Sequence, residues 1–504
     1  MFDIAKARRV ALSTQSLVGC AVVTLALLPT LATAQPPSPT PASDGQKAPP
    51  PPVEISSDSF RVRSADGKNE LRFAAAAHFD ARAYFGDSVA PSSFDIRRAR
   101  IDAQAKLHGF ISLRIQAALE DQPYIRNAWL DLRTSEALHL RFGQMKVPFS
   151  TEWLTLDNQV NFIERATSRP VYPFFDRGVM VWGDLAKGRL TYGLGAFDGV
   201  GVDFDAAKGD IDDHKEVAAR LFGQPVRGLY LAAQATHGAM SVPTSRFETG
   251  GLTSASYESK VFTWRTEQTL GSNGRAVDKL AAQIDARTRW GLEAHYLRGP
   301  FTASFEYLVN RYRDISVYHE YWVGSSRLLQ QPELQASGDV RLLSGWVSWF
   351  PTGEAKAVAF DGWKQPDAKR PWVSGGSGHG AVELLLRLSH TRTDPSLFAS
   401  HRVYGYTAEE LPASGAPAVG DSSSVTAAVL QGASSLYEVT LGASWTLNRN
   451  LRAQAGLTEL WVPDFGEGTG GIVSGGGSDL SDATLKNRQV ESELSVGARL
   501  IFRF

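Results

Sequence analysis

Cysteine is almost missing from this 504-residue chain: Cys20 is the only one. A single cysteine closes no intramolecular disulfide and cannot build a thiolate metal site. Cys20 also lies in a segment that reads as an export signal. Lys6, Arg8 and Arg9 precede an apolar run from Leu17 to Leu28, which leads to the small-residue site Ala32-Thr33-Ala34. Leu17-Val18-Gly19-Cys20 resembles a lipoprotein processing box, but such a box closes the apolar region, and here Ala21 to Leu28 continues it. Cleavage after Ala34 is the better reading, and it leaves a mature chain without cysteine. An excess of one charge is also missing, since 52 Lys/Arg stand against 53 Asp/Glu. Nothing in that balance points to nucleic acid. After the signal no run is apolar enough for a transmembrane helix. The mean hydropathy of -0.19 still permits a membrane protein whose strands alternate lipid-facing and water-facing residues. Catalytic signatures are absent too. The ten histidines show no H-E-x-x-H spacing, and there is no G-x-S-x-G elbow. Gly466 to Gly471 fits G-x-G-x-x-G, but that motif requires a following helix, and here more glycine and serine follow, as in an outer loop.

What is present is a pattern of period two. Residues 35–70 read as a disordered periplasmic linker, Pro-, Ser- and Ala-rich from Gln35 to Pro52. From Leu71 to Phe504 the chain reads as an all-β, transmembrane antiparallel barrel. Leu71, Phe73, Ala75, Ala77 and Phe79 alternate with Arg72, His78, Asp80 and Arg82. Ala99, Ile101, Ala103, Ala105 and Leu107 oppose Arg98, Arg100, Asp102, Gln104 and Lys106. Runs such as Phe301 to Val309 and Val382 to Leu388 repeat the alternation. Each run is about ten residues, the length of a tilted membrane-crossing strand. Soluble sandwich strands average about 5–6 residues. Connections switch between tight turns, as at Arg298-Gly299-Pro300, and long polar stretches such as Thr393 to Val425. The length accommodates about 16 strands of roughly 27 residues each with connections. The last strand, Leu494, Val496, Ala498, Leu500, Phe502 and Phe504, ends on an aromatic residue, the form that barrels present to the outer-membrane assembly machinery. Tyr84, Trp129 and Trp346 are candidate interface aromatics, although Trp129 has lumen parity.

Several stretches carry a family likeness. Phe94-Asp95-Ile96-Arg97-Arg98-Ala99-Arg100-Ile101 resembles the arginine-rich second strand of the phosphate-selective porin O/P family. Leu140 to Phe149 resembles that family's entry into its constriction loop, and Phe162-Ile163-Glu164-Arg165 with Asp176-Arg177-Gly178-Val179 resembles its exit. Phe350 to Glu354, Val382-Glu383-Leu384 and Leu441 to Trp445 are similar to later strands. The resemblance implies an outer-membrane homotrimer of 16-stranded barrels, each pore narrowed by an inward-folded third loop. It implies passage of small anions, contact with the bilayer and lipopolysaccharide, and neither reaction nor cofactor.

The residues agree in part. From Arg97 to Lys146 there are nine Lys/Arg against five Asp/Glu. Charge on a lipid face costs about 2–4 kcal/mol at the midplane, so these groups should face the lumen. Arg97, Arg98, Arg100, Lys106, Arg114, Arg141 and Lys146 are the candidate anion path, since guanidinium suits phosphate and carboxylate. Alternatively, these groups pair with Asp102, Glu120 and Asp131 and brace the wall. Gly143 to Asp176 is the expected constriction loop, with Glu152, Asp157, Glu164, Arg165 and Arg169 as its charged residues. Here the chain departs from the phosphate-selective pattern. Between Phe149 and Asn161 there is no Lys or Arg, and carboxylates there oppose strict phosphate selectivity. Two other classes stay open: a barrel enzyme of phospholipase or protease type, for which strand parity offers no nucleophile and base, and a non-conducting structural barrel. Deleting Phe504 is expected to lower the amount of barrel in the outer membrane severalfold. Unchanged levels on a membrane-fraction immunoblot would remove the terminal aromatic from the assembly signal.

Overall fold

The computed structural model describes residues 53–56, 59–86, 92–120, 123–166, 171–173, 175–199, 213–243, 259–260, 262–267, 279–323, 326–329, 334–398, 401–405, 424–432, 434–465, 472–474 and 489–504. The proposed signal and the first part of the linker lie outside these residues. Sixteen strands form one antiparallel barrel. They are β1 (Glu70–Phe85), β2 (Ser93–Leu107), β3 (Ile111–Ala118), β4 (Tyr124–Arg133), β5 (His139–Lys146), β6 (Phe175–Leu185), β7 (Leu190–Phe197) and β8 (Glu216–Val226), then β9 (Leu229–Pro243), β10 (Lys279–Arg298), β11 (Phe301–Val323), β12 (Leu334–Trp349), β13 (Ala381–Thr393), β14 (Ser435–Thr446), β15 (Leu451–Trp461) and β16 (Ser492–Arg503). Each pairs with its chain neighbour, and β16 closes on β1 from Leu494↔Phe85 to Arg503↔Ala76. Closure satisfies every strand edge, which hydrocarbon demands.

The alternation places side chains as the pattern requires. Phe79, Ile101, Phe305, Leu441 and Leu500 are exposed on the outside, while Arg82, Arg98, Glu293, Arg387 and Arg499 are buried inside. Tyr296, Phe301, Trp349 and Trp445 are exposed near short turns and form one aromatic girdle. The three girdle candidates of the sequence lie elsewhere. Tyr84 and Trp129 line interior cavities, and Trp346 is buried in the lumen against Trp363. Strand parity decides this, since all three share the polar face of their strands.

Two strands precede the barrel where a disordered linker was expected. Val53–Ser56 pairs with Ser59–Arg63, and the latter continues the ladder of β1 through Phe60↔Phe73 and Val62↔Leu71. Phe504 pairs with Ala75, so this hairpin takes the edge of β1 beyond the point where the C-terminus stops. An unpaired edge there is the physical reason for order.

Two register shifts position the interior. On β1–β2 the pairs His78↔Arg98 and Phe79↔Ile96 leave Arg97 as an extra residue. On β3–β4 the pairs Gln116↔Asn127 and Ala117↔Ile125 leave Arg126 extra. A bulge of this kind lets two successive side chains point the same way. Phe94, Ile96 and Ile101 stay outside, while Arg97 and Arg98 both reach Glu164 in the lumen.

The third loop leaves the wall after Lys146, because Gly143↔Gly178 and Met145↔Asp176 still pair. Gly143 has φ +114°, and a Cβ there would meet the Ala128 carbonyl oxygen at 2.2 Å. Gly143→Ala should therefore open the β4–β5 pairing and abolish the heat-modifiable barrel. Gly109→Ala, with φ +78° and open space around it, should cost only about 1–2 kcal/mol of left-handed strain and still assemble. Boiled and unboiled samples on a denaturing gel distinguish the two. A heat-modifiable Gly143→Ala barrel would show that the close approach is not required.

Candidate functional site at the barrel constriction

The third loop turns into the lumen on a short helix, α1 (Thr151–Leu154), capped by the Ser150 hydroxyl, which accepts from the amides of Glu152 and Trp153. Apolar side chains hold it against one wall: Phe149, Trp153, Leu154, Val171 and Tyr172 pack with Leu308 and Leu342 of β11 and β12. Polar contacts fix its height. Ser150 Oγ donates to Glu306 at 2.7 Å, the Thr151 amide donates to Glu293 at 3.0 Å, and Arg220 donates to Thr151 Oγ1 at 2.7 Å. Further along, Arg387 donates to the Glu164 carbonyl at 2.9 Å and Gln454 to the Asn161 carbonyl at 2.9 Å. Arg499 also donates to the Ile163 carbonyl. The loop thus crosses the lumen and is tied to strands around most of its circumference.

A second segment meets it from the side of the short turns, which in such barrels is periplasmic. Residues 350–380 join β12 to β13 and carry a small hairpin, Ala357–Ala359 with Gly362–Lys364. The Trp363 amide donates to Thr155 Oγ1 at 2.9 Å, and Gln365 Nε2 donates to Asn161 Oδ1 at 2.9 Å. Lys356 Nζ donates to the same Asn161 oxygen at 2.5 Å and pairs with Glu383 at 2.7 Å. The sequence offered no signal for this element, because Phe350 to Glu354 reads as an ordinary strand end.

The opposite wall is charged. Asp157 Oδ2 lies 3.0 Å from Arg126, 3.6 Å from Arg98 and 3.8 Å from Arg100, while its Oδ1 lies 3.3 Å from Arg165. Glu164 lies 2.8 Å from Arg82, 3.0 Å from Arg97 and Arg499, and 3.5 Å from Arg98. Arg100 also pairs with Glu120, Arg114 with Asp102 at 2.5 Å, and Arg141 with Asp131 at 2.8 Å. The geometry therefore contains both sequence readings: an arginine wall, and carboxylates that brace it.

Several candidates occupy other places. Lys146 lines the chamber, but its ammonium donates to the carbonyls of Trp153 at 2.6 Å, Thr155 at 2.9 Å and Leu154 at 3.4 Å, closing the C-terminal end of α1. Arg165 likewise donates to the Glu152 carbonyl at 2.9 Å and the Thr155 carbonyl at 2.8 Å. Glu152 turns away from the Asp157 cluster into a small cavity shared with Glu306, His295 and Arg387. The extended backbone at Thr155 and Leu156 separates α1 from Asp157 and carries that residue to the other wall. Lys106 is exposed at the far end of β2, opposite Glu70 and Ser112. Arg169 lies outside the described residues. Phe502 faces outward and Phe504 ends the β1 ladder. Arg82, Arg126 and Arg499 join the constriction without having been singled out. Arg82 and Arg499 had the correct parity, whereas the bulge at Arg126 breaks the period that would have shown it.

Between the constriction and the mouth on the side of the short turns lies a chamber of about 930 Å³. It is lined by β1–β7, the loop segment 154–159, and Phe360 and Asp361 of the inserted hairpin.

A model of the family described as phosphate-selective porin O and P matches residues 70–457. The chain belongs to that family. It is accordingly a porin of the Gram-negative outer membrane. Solved structures of outer-membrane proteins are similar to it at low identity. OmpT, an outer membrane protein of Vibrio cholerae, is 11% identical over 87% of this chain and 98% of its own, with a TM-score of 0.43. The outer membrane channel DcaP of Acinetobacter baumannii is 8% identical over 88% of this chain and 99% of its own, with a TM-score of 0.45. OmpF of Salmonella typhi, solved with daunomycin, is 10% identical over 87% of this chain and 98% of its own, with a TM-score of 0.40. No curated protein matches the porin.

Glu164 holds four guanidinium groups that would otherwise repel one another. Removing one partner of a buried pair costs about 3–5 kcal/mol, so Glu164→Gln should lower the temperature at which the unboiled form of the porin is lost. It should also make the open-channel current noisier as the loop end loosens. An unchanged melting temperature with quiet currents would show that the loop is held by its other contacts.

Proposed function

We propose that this porin is a passive diffusion channel that prefers small anions, working as a homotrimer without chemistry or cofactor. Residues 1–34 act as its export signal, followed by a linker up to the hairpin that begins at Val53. The carrying observation is the charge balance at the constriction. Arg82, Arg97, Arg98, Arg100, Arg126, Arg165 and Arg499 surround Asp80, Glu120, Asp157 and Glu164, seven positive groups against four negative. Low-dielectric walls focus that excess onto a passing ion and raise the local anion concentration. Pairing fixes the guanidinium groups without cancelling the surplus. Arg98 Nη1 and Arg126 Nε are buried and have no hydrogen-bond partner among the described residues, so the carboxylates do not saturate the cluster.

The preference is for anions as a class. Asp157 sits where a phosphate would need to enter the arginine cluster, and Lys146 is committed to backbone carbonyls. Both features argue against selectivity for phosphate alone.

The test is the reversal potential in a potassium chloride gradient. Replacing Arg98 and Arg100 with alanine should lower the ratio of anion to cation permeability by roughly fivefold, the factor that corresponds to about 1 kcal/mol. The shift should shrink as salt rises, because the Debye length falls from about 10 Å at 0.1 M to about 3 Å at 1 M. A native channel that passes potassium as readily as chloride would end the anion reading, and so would a double variant that folds and shows no shift.

A further inference from the structure

The wall of the 930 Å³ chamber carries a feature that an inorganic anion does not require. Trp129 on β4 and Trp182 on β6 both face the chamber, with the guanidinium of Arg141 between them, 4.2 Å from the first ring and 5.2 Å from the second. Asp131 organises the group. It accepts from Arg141 Nε at 2.8 Å and Trp182 Nε1 at 2.7 Å, and lies 3.0 Å from His139 Nδ1. His139 in turn packs on Trp182 with ring centroids 4.1 Å apart. In the ladder Arg114 stands directly opposite Trp129, and on its other side Trp129 faces Gly143, which has no side chain. The result is a row of cation, indole and cation across three strands. Phe360, at the tip of the inserted hairpin, lines the same chamber.

Bracing alone needs only Arg141 and Asp131. Two half-buried indoles on a water-facing wall leave apolar area in contact with water, and a hydrated phosphate or chloride gains nothing from it. A flat organic anion gains from both halves, because its ring stacks on indole and its carboxylate meets guanidinium. The chamber's volume falls within the range of about 300–1,000 Å³ typical of small-molecule sites.

We infer that Trp129, Trp182, Arg114 and Arg141 form a subsite for aryl carboxylates in the vestibule on the periplasmic side of the constriction. This rests on the anion-preferring reading above and narrows its substrate class to organic anions. It does not depend on the Arg98–Asp157 cluster.

The test uses the full-length porin in a planar bilayer carrying chloride current, with sodium benzoate or sodium acetate added on the periplasmic side. Benzoate should half-block the current at roughly five- to tenfold lower concentration than acetate, the factor expected from one aromatic contact. Trp129→Ala should bring the two concentrations together, and Trp129→Phe, which keeps a ring, should retain most of the difference. Equal block by benzoate and acetate in the native porin would overturn the proposal, even if no alanine variant assembles. So would a benzoate advantage that survives both Trp129→Ala and Trp182→Ala. Failure of the anion reading has a separate signature: the native reversal potential in chloride would show no anion preference, whichever carboxylate blocks better.

Discussion

Inside hydrocarbon every backbone amide and carbonyl needs a partner, and this chain meets that requirement by joining β16 to β1. The rest of the architecture depends on that closure. Once the ladder is continuous, each strand presents one face to lipid and the other to an enclosed space. Charges such as Arg220, Arg387 and Arg499, each paired with a carboxylate, then become part of an enclosed polar interior. The hydrophobic term acts outward, through Phe79, Phe305 and Leu441. The interior is free to be polar, and it is organised by hydrogen bonds and ion pairs instead of apolar packing alone.

That interior is asymmetric. The third loop and the segment of residues 350–380 meet through Thr155, Asn161, Trp363 and Gln365 and fill the side formed by β8–β13. The remaining space runs along β1–β7, where the arginine wall stands. The open chamber therefore lies along one wall, and its lining comes from a limited set of strands. A change on β11 would alter the chamber through the packing of the loop, whereas a change on β2, β4 or β5 would alter its lining directly.

Sequence periodicity made the barrel legible because hydrophobic alternation has a single physical cause in a membrane. Strand identity, the approximate strand number and the inward direction of Arg98, Arg100 and Arg114 followed from it. Three kinds of information did not. The bulges at Arg97 and Arg126 interrupt the period that defines the faces, and the second hid a constriction residue. Contacts distant in sequence, such as Arg499 with Asp80 across the β16–β1 seam and with Glu164 of the third loop, join residues hundreds of positions apart and leave no local trace. The extended break at Thr155 and Leu156 separated Glu152 from Asp157, which a parity argument cannot resolve within a loop. The hairpin at residues 53–63 was lost for a simpler reason, since the proline-rich composition before it suggested a linker and concealed the short alternation of Phe60 and Val62.

The bulge at Arg97 bears on how such channels can diverge. A substitution on a barrel strand changes one face and keeps the count of residues crossing the bilayer. A single-residue insertion that is absorbed as a bulge does something different: it adds one side chain to the lumen while Ile96 and Ile101 keep their places in the lipid. Interior charge can thus be increased in one step without re-registering the strand or disturbing its outer surface. Length variation of one residue within a strand, normally read as damage to a β-sheet, becomes in this wall a means of changing the charge of the lumen.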